Sequence, residues 1–298
     1  VAGGLFSFSV EWTQQYLITR DASLRDLLFN TLGTIAGVTL AQVGPLRRAL
    51  QQAAVAVPRA RIPAVVLMGV WVTALWFPFL PVLRIIAWRD FLRRPWVGGM
   101  SWLGYIDLLW GAGVAVLLLR EFLGRRQAAV AGVFLAALVP MQIFLWGRAA
   151  TAAEMAAPVA GLLAGAYLAF RGREPAAGWV AGSGLALVLV KQCMPFHWDT
   201  SWARPFIKLP FAASMDVGTQ GSVRIIASKF FLYGTTVYFL RTVAGRGWIG
   251  SLAATLVVSG LLLVTEFGQR YQPGRTPEST DVVLTLGAGV MLVWAGRR

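Results

Sequence analysis

The sequence predicts an all-α membrane protein, a polytopic transmembrane bundle of about ten spans built from parallel four-helix repeats. Composition is the first reason, because the chain is 57% hydrophobic and only 13% charged, about half the charged share of an ordinary soluble domain. The second is a series of nearly uncharged segments of roughly 20 residues, the length that crosses a bilayer as a helix. The third is a polar pattern that recurs at a fixed spacing.

The predicted spans follow one another along the whole chain. They cover residues 1–16, 26–43, 62–83, 102–119, 128–147, 154–170, 179–190, 225–240, 248–266 and 281–296. Basic residues follow many of them directly, as expected where a span reaches the headgroup region: Arg84, Arg120, Arg148, Arg171, Lys191, Arg241 and Arg297. Between the third and fourth spans, 84–96 mixes arginines with large apolar residues, which predicts an interfacial amphipathic helix. A polar loop, 191–222, precedes the eighth span.

The recurring polar pattern, here called the ladder, is a glutamine, an arginine six residues later and an acid six residues after that. Its copies are Gln14, Arg20 and Asp26, then Gln142, Arg148 and Glu154, then Gln269, Arg275 and Asp281. A glutamate stands three residues before the glutamine in the first and last copies, as Glu11 and Glu266, whereas the middle copy has Val139. Strong polar groups at equal spacing in so apolar a chain indicate three related units.

Grouping the spans by ladder divides the chain into units 1–44, 62–171 and 173–298, with the ladder between the last two spans of each. The first unit then retains only its final half, and the N-terminal part is expected to be missing. Four is an even number of crossings, so all units run the same way and all ladders lie on one side. The double-arginine C-terminus favours the opposite side as cytoplasmic. The ladders are therefore expected to be extracytoplasmic.

Within a ladder, the glutamate and glutamine are three residues apart and share a helix face. The arginine is the expected partner of the carboxylates, because an unpaired charge in hydrocarbon costs at least ~3 kcal/mol. The aspartate is expected to open the next helix, where exposed N–H groups favour it. Small residues follow it on one face, and these stripes predict that each hairpin packs closely: Asp26, Asn30, Gly33 and Gly37 in the first unit, and Glu154, Pro158, Gly161 and Gly165 in the second.

Several classes of function are disfavoured. The net charge of +14 is spread over the ends of spans and over loops, so nucleic acid is not an expected partner. Cys193 and His197 are the only residues of their types, and the sequence predicts no disulfide, metal site or cofactor. Two ionisable residues, Asp107 and Lys229, fall inside predicted spans; each could line the bundle interior, and Lys229 could equally reach the interface.

The ladder residues resemble those of the VanZ-like family of bacterial membrane proteins, whose pattern is Glu-x2-Gln, Arg, then Asp-x3-Asn-x2-Gly-x3-Gly. The resemblance spans nearly the whole chain. The first copy matches in full, the last lacks the asparagine, and the middle one matches less. Met194-Pro195-Phe196 resembles the Pro-Phe after the family's first span, whereas Lys229 to Gly234 departs from the family's next motif. The resemblance implies a multi-pass protein of the bacterial cytoplasmic membrane, with outward-facing ladders and a connection to glycopeptide resistance.

Three functions remain open beside a purely structural role in which the ladder caps and holds its hairpin. The first is binding or remodelling of a polar or anionic headgroup at the outer leaflet, of a membrane lipid or a lipid-linked envelope precursor. The expected binding residues are Glu11, Gln14, Arg20, Asp26, Asn30, Glu266, Gln269, Arg275 and Asp281, and less strongly Gln142, Arg148 and Glu154. The second is a membrane enzyme with Glu266 and Asp281 as an acid–base pair. The third is a small-solute transporter.

Overall fold

A computed structural model describes residues 58–79, 101–144, 151–172, 177–201, 203–212 and 219–297. Apart from Pro58, these residues belong to one compact unit, Arg59–Arg298. The predicted spans 1–16 and 26–43 and the predicted interfacial helix 84–96 lie outside the described residues. The α-helices of the described part are α1 (Ile62–Trp76), α2 (Trp102–Leu123), α3 (Arg125–Leu138), α4 (Ala152–Phe170), α5 (Ala177–Cys193), α6 (Thr219–Ala244), α7 (Trp248–Gln269) and α8 (Thr280–Gly296).

The all-α class is confirmed for the described residues, whose β structure is limited to one isolated bridge between Ile207 and Glu278. Six helical segments there are long and apolar enough to cross a membrane, namely α1 with its preceding 3-10 turn, α2, α3 with its following 3-10 turn, α4, α6 and α7. The helices α5 and α8 are apolar but shorter. These helices indicate a multi-pass membrane protein. The total of ten spans and the parallel repeats stay predictions.

Several helix boundaries differ from the expected ones for local reasons. The connection between the fourth and fifth predicted spans is shorter than expected, because Gly124 alone separates α2 from α3. Its φ of +83° turns the chain where a side chain would be strained. The fifth span ends as an α-helix at Leu138 and continues as a 3-10 helix over Val139–Phe144. The predicted loop 191–222 is shorter than expected, since α5 runs to Cys193 and α6 begins at Thr219.

The helices pack as two groups of four, α1–α4 and α5–α8. In each group the second helix contacts the other three, and the third and fourth helices pack against each other. The helices α1 and α6 form the main contact between the groups. Large apolar side chains fill the core, including the fully buried Leu67, Leu118, Leu232 and Leu262.

The small-residue stripe of α4 faces a different helix from the one expected. A Cβ atom placed on Gly161 would lie 2.2 Å from the carbonyl oxygen of Leu109, and one on Gly165 would lie 2.9 Å from that of Gly113. Both contacts are with α2, so the prediction that this stripe joins the α3–α4 hairpin is wrong. The hairpin itself does pack. The glycines instead let two parallel helices approach until backbone meets backbone.

The first helix of each group ends in the same way. Phe79 and Phe196 both follow a proline, and they have φ values of 61° and 60°. The N–H of Phe79 donates to the Trp76 carbonyl over 2.8 Å, and the N–H of Phe196 donates to the Cys193 carbonyl over 2.7 Å. These matching turns identify Leu75 and Gln192 as residues in equivalent positions, three residues before each proline.

The outer faces of the helices are apolar, and the exposed tryptophans lie near helix ends. Large exposed side chains run along α3, α4, α7 and α8, including Val130, Tyr167, Val264 and Val290. The exposed tryptophans of the described helices are Trp102, Trp179, Trp248 and Trp294. This distribution matches a lipid-facing surface bordered by an aromatic belt.

We expect Gly161→Ala to destabilise the protein by about 1–3 kcal/mol, because the added methyl group collides with the Leu109 carbonyl and the backbone must move. Thermal unfolding in detergent measures the change. Gly260→Ala is the matched control, since Gly260 lies in α7 with no heavy atom near the position of an added Cβ. Equal melting temperatures for the two variants would contradict the close α2–α4 contact.

Candidate functional site

The last ladder lies where α7 ends and α8 begins. Glu266 and Gln269 are one turn apart on α7 and both are buried, which confirms that they share a face. Asp281 lies in the first turn of α8 and is 1% exposed. Arg275 lies in the connecting loop and is partly buried. The ladder thus converges at one end of the bundle, although its contacts differ from those expected.

The Asp281 carboxylate is the centre of the cluster. One oxygen accepts a hydrogen bond from the Lys229 ammonium at 2.7 Å, and the other accepts from the Tyr233 hydroxyl at 2.7 Å and from the Gln192 amide. The prediction that Asp281 opens α8 is confirmed, although its side chain turns towards α5 and α6. The N-cap position, Ser279, makes no side-chain cap hydrogen bond. Asp281 therefore joins three helices instead of closing one.

Two glutamines extend this cluster. The Gln269 amide donates to both the side-chain and the backbone carbonyl oxygens of Gln192. The Gln192 amide in turn donates to the Tyr233 hydroxyl at 3.1 Å as well as to Asp281. Gln192 consequently links the end of α7 to the start of α8. All four of these side chains are buried, so every hydrogen bond they lose would leave an unsatisfied polar group.

Glu266 is 2% exposed and lies beside Asp281. Its carboxylate accepts from the backbone N–H of Glu278 at 3.0 Å. Two buried carboxyl groups thus share the vicinity of one ammonium group, that of Lys229.

Arg275 binds the end of α5. Its Nε donates to the Met194 carbonyl at 2.9 Å, and its terminal nitrogen donates to the carbonyls of Lys191 and Met194. The prediction that Arg275 pairs with the ladder carboxylates is wrong for this copy. The carbonyl groups at a helix C-terminus carry partial negative charge and have no partner within the helix, so they attract an arginine.

The middle ladder is differently arranged, and the first lies outside the described residues, as does Arg148. Glu154 forms a capping box with Thr151, in which each side chain binds the other's backbone N–H. The expected position of the ladder acid at a helix N-terminus is thus confirmed in this copy as well. Gln142 is 0% exposed, and its amide nitrogen and oxygen have no hydrogen-bond partner.

The described residues between α5 and α6, 194–201 and 203–212, are here called the α5–α6 segment, and they bind the α7–α8 loop. The backbone N–H of Asp199 donates to the Tyr271 carbonyl, and those of Arg204 and Ile207 donate to the carbonyls of Arg270 and Pro277. The Phe211 N–H donates to the Thr280 hydroxyl at 2.6 Å. This segment and the α7–α8 loop are therefore held together along their length.

A cavity of about 350 Å³ lies at the same end of the bundle, between α1, α2 and α6. Its walls include the aromatic side chains Trp71 and Phe231 and the charged side chains Asp107 and Arg224. Asp107 forms an ion pair with Lys191 of α5. The Nε atom of Arg224 is buried and has no hydrogen-bond partner among the residues that the structure describes. The cavity therefore combines an apolar wall with a guanidinium group whose hydrogen-bonding capacity is incompletely used.

Sequence reasoning missed Gln192, Tyr233 and Arg224. The sequence does mark Lys229 as a charge within a predicted span, with the bundle interior and the membrane interface as its two possible positions. In the structure it lines the interior, where it binds Asp281. The signal for Gln192 was a polar residue at the end of an apolar span, directly after Lys191. The signal for Arg224 was weaker, because the eighth span was expected to begin at Ile225, which placed this arginine in a loop.

We expect Asp281→Asn to lower stability by about 2–4 kcal/mol, because it leaves the Lys229 ammonium without its ionic partner in a largely apolar region. The value lies towards the low end for buried pairs, since the Lys229 side chain is 31% exposed. Adding Lys229→Met should recover part of the loss. Thermal unfolding of both variants, with the loop variant Asp199→Asn as control, measures these effects. A double variant no more stable than Asp281→Asn would contradict the pairing.

The two buried ladder glutamines should respond oppositely to the same substitution. Gln142→Leu should stabilise the protein by about 1 kcal/mol, because it removes an unsatisfied buried amide. Gln269→Leu should destabilise it by about 1–3 kcal/mol, because Gln192 loses its partner. The shift in melting temperature in detergent measures both. Destabilisation by Gln142→Leu as large as that by Gln269→Leu would show that the middle copy holds its glutamine as the last one does.

Comparisons of the chain with protein-family models, with curated proteins and with solved structures gave no match.

Proposed function

We propose that the protein binds the anionic headgroup of a membrane lipid, or of a lipid-linked envelope precursor, at the outer leaflet. The site is the cavity between α1, α2 and α6, and Arg224 is the residue that meets the negative charge. The ladder cluster of the last unit serves as the rigid support beside it.

The observation that carries this proposal is the unpartnered Nε of Arg224 on a cavity wall. An arginine inside an apolar bundle normally pairs with a carboxylate or with carbonyl groups. The acidic side chain that acts on Arg224 electrostatically is Glu154, which already accepts from the Thr151 N–H in its capping box. A phosphate group would supply the missing acceptors, since a guanidinium group binds phosphate through parallel N–H bonds.

The cavity suits a small polar group attached to an apolar tail. Its volume of about 350 Å³ lies at the lower end of the roughly 300–1,000 Å³ found for ligand pockets. Trp71, Leu75 and Phe231 offer apolar surface, and Ser228 adds a hydroxyl group. The charge of Asp107 on the α2 wall is compensated by Lys191 of α5, so Arg224 gives the cavity its positive charge.

The ladder carboxylates are less well placed for catalysis. Glu266 and Asp281 are 2% and 1% exposed, and their oxygens bind Glu278, Lys229, Tyr233 and Gln192. A general acid or base must reach a substrate atom, and the burial and existing partners of these carboxyl groups favour a supporting role instead. The carboxylate pair is better explained as the part that fixes α5, α6 and α8 around the cavity's edge.

We include three further statements in this proposal: that the chain is related to the VanZ-like family, that it contains repeats, and that it is linked to glycopeptide resistance. The repeats are supported by the equal packing order within the two helix groups and by the equivalent turns at Phe79 and Phe196. In a bacterial cytoplasmic membrane with the ladders outside, the cavity would face the leaflet that carries lipid-linked cell-wall precursors. Glycopeptides act on such precursors, so headgroup binding and resistance are compatible.

We expect Arg224→Gln to weaken binding of phosphatidylglycerol or a polyprenyl phosphate by about ten- to a hundredfold, the equivalent of the 1.5–3 kcal/mol that hydrogen bonds to charged groups typically contribute. Native mass spectrometry of the purified protein, titrated with each lipid, measures the bound fraction. Phosphatidylcholine provides the comparison for a headgroup without net charge.

Arg241→Gln is the matched control. Arg241 lies on the same helix about 25 Å further along its axis, its Nε is also buried without a partner, and its guanidinium group stacks on Tyr238. The substitution removes the same charge away from the cavity, so it should leave lipid binding unchanged. An equal loss of lipid binding in both variants would show that binding depends on net charge and not on the cavity. Unchanged lipid binding in Arg224→Gln would overturn the proposal.

A further inference from the structure

The α5–α6 segment carries large apolar side chains on its outer surface, although its sequence predicts a polar loop. Phe196, Trp198 and Leu209 are 58%, 48% and 62% exposed. Lys208 is exposed beside Leu209. The segment is therefore amphipathic, with a polar backbone edge bonded to the α7–α8 loop and an apolar, basic surface turned outwards.

This surface is fixed in place. In addition to the backbone hydrogen bonds described above, the Ser279 hydroxyl donates to the Lys208 carbonyl at 2.8 Å, and the Ser279 N–H donates to the Ile207 carbonyl at 3.2 Å. Trp198 lies against α7 so closely that a Cβ on Gly268 would be 3.0 Å from its ring. Because these contacts hold the segment in place, its apolar side chains do not become buried against the rest of the protein through a movement of the segment.

The segment also extends onto the lipid-facing side of α7. The Phe206 ring stacks on the Phe267 ring, with centroids 5.0 Å apart. Phe267 belongs to the exposed stripe of α7 that includes Val257 and Val264. The stacking places the segment at the boundary between the apolar stripe and the end of the helix, where headgroups meet acyl chains.

We propose that the α5–α6 segment is an interfacial element that inserts Phe196 and Leu209 into the headgroup region of the ladder-side leaflet, with Lys208 binding anionic lipid. Rings and long apolar side chains beside a lysine suit this environment, since the apolar groups leave water and the cation stays near phosphate. Because the segment lies at the end of membrane-length helices, we infer that the lipid leaflet is the partner that covers this surface. The proposal does not depend on lipid binding in the Arg224 cavity.

Spin labels can measure the depth of the segment. Cys193 is the only cysteine, and Cys193→Ala preserves the backbone carbonyl that accepts from Gln272. In that background, Phe196→Cys and Leu209→Cys introduce one label each, and Thr200→Cys is the control at an exposed polar position of the same segment. The proteins are placed in nanodiscs of phosphatidylcholine, with or without phosphatidylglycerol. Collision with oxygen reports lipid, and collision with a water-soluble nickel chelate reports water.

We expect the oxygen-to-nickel collision ratio to be several-fold higher at positions 196 and 209 than at 200. Phosphatidylglycerol should raise it further at position 209, and Lys208→Gln should abolish that increase. Nickel access at 196 and 209 equal to that at 200 would place the segment in water and overturn the proposal. Low access to both reagents at 196 and 209 would also overturn it, because a protein partner would then cover the surface.

Discussion

The buried carboxylate of Asp281 is the constraint from which the ladder end of the bundle follows. An ion in hydrocarbon costs at least ~3 kcal/mol unless partners replace water, and one helix cannot supply them all. Asp281 obtains its partners from Lys229 and Tyr233 of α6 and from Gln192 of α5. Each of these contacts fixes the rotation and the axial position of a helix relative to α8. One charged residue therefore sets the register of three helices, α5, α6 and α8.

The helix α6 joins this network to the cavity. Lys229 and Tyr233 lie one turn apart on the face towards α8, whereas Arg224, Ser228 and Phe231 lie on the face towards α1 and α2. A displacement of α6 would therefore alter both sites together. The α5 terminus makes a second connection, because Lys191 binds Asp107 on the cavity wall while its carbonyl accepts from Arg275.

The sequence predicts the class of fold well and the partners within the site poorly. Hydropathy identified α1–α8, and spacing placed Glu266 and Gln269 on one face, because both properties are local to a helix. Pairing across helices is not local. Arg275 was expected to meet a carboxylate, but the carbonyl groups at the end of α5 lie within its reach, and Lys229 compensates Asp281 instead. Which of several polar groups becomes the partner of a charged side chain depends on the order and rotation of the helices. The periodicity of a sequence gives neither of these.

The two described helix groups differ in the residue that stands three positions before the proline after their first helix. Leu75 precedes its proline as Gln192 does, so the amide that binds Gln269 has an apolar counterpart, and Gln142 is left without a partner. Glu154 binds the N-terminus of its own helix rather than a neighbouring one. Leu75 lies on the cavity wall, whereas Gln192 lies in the Asp281 cluster. The apolar residue at this position therefore forms part of the wall of the cavity that we propose as the headgroup site beside Arg224.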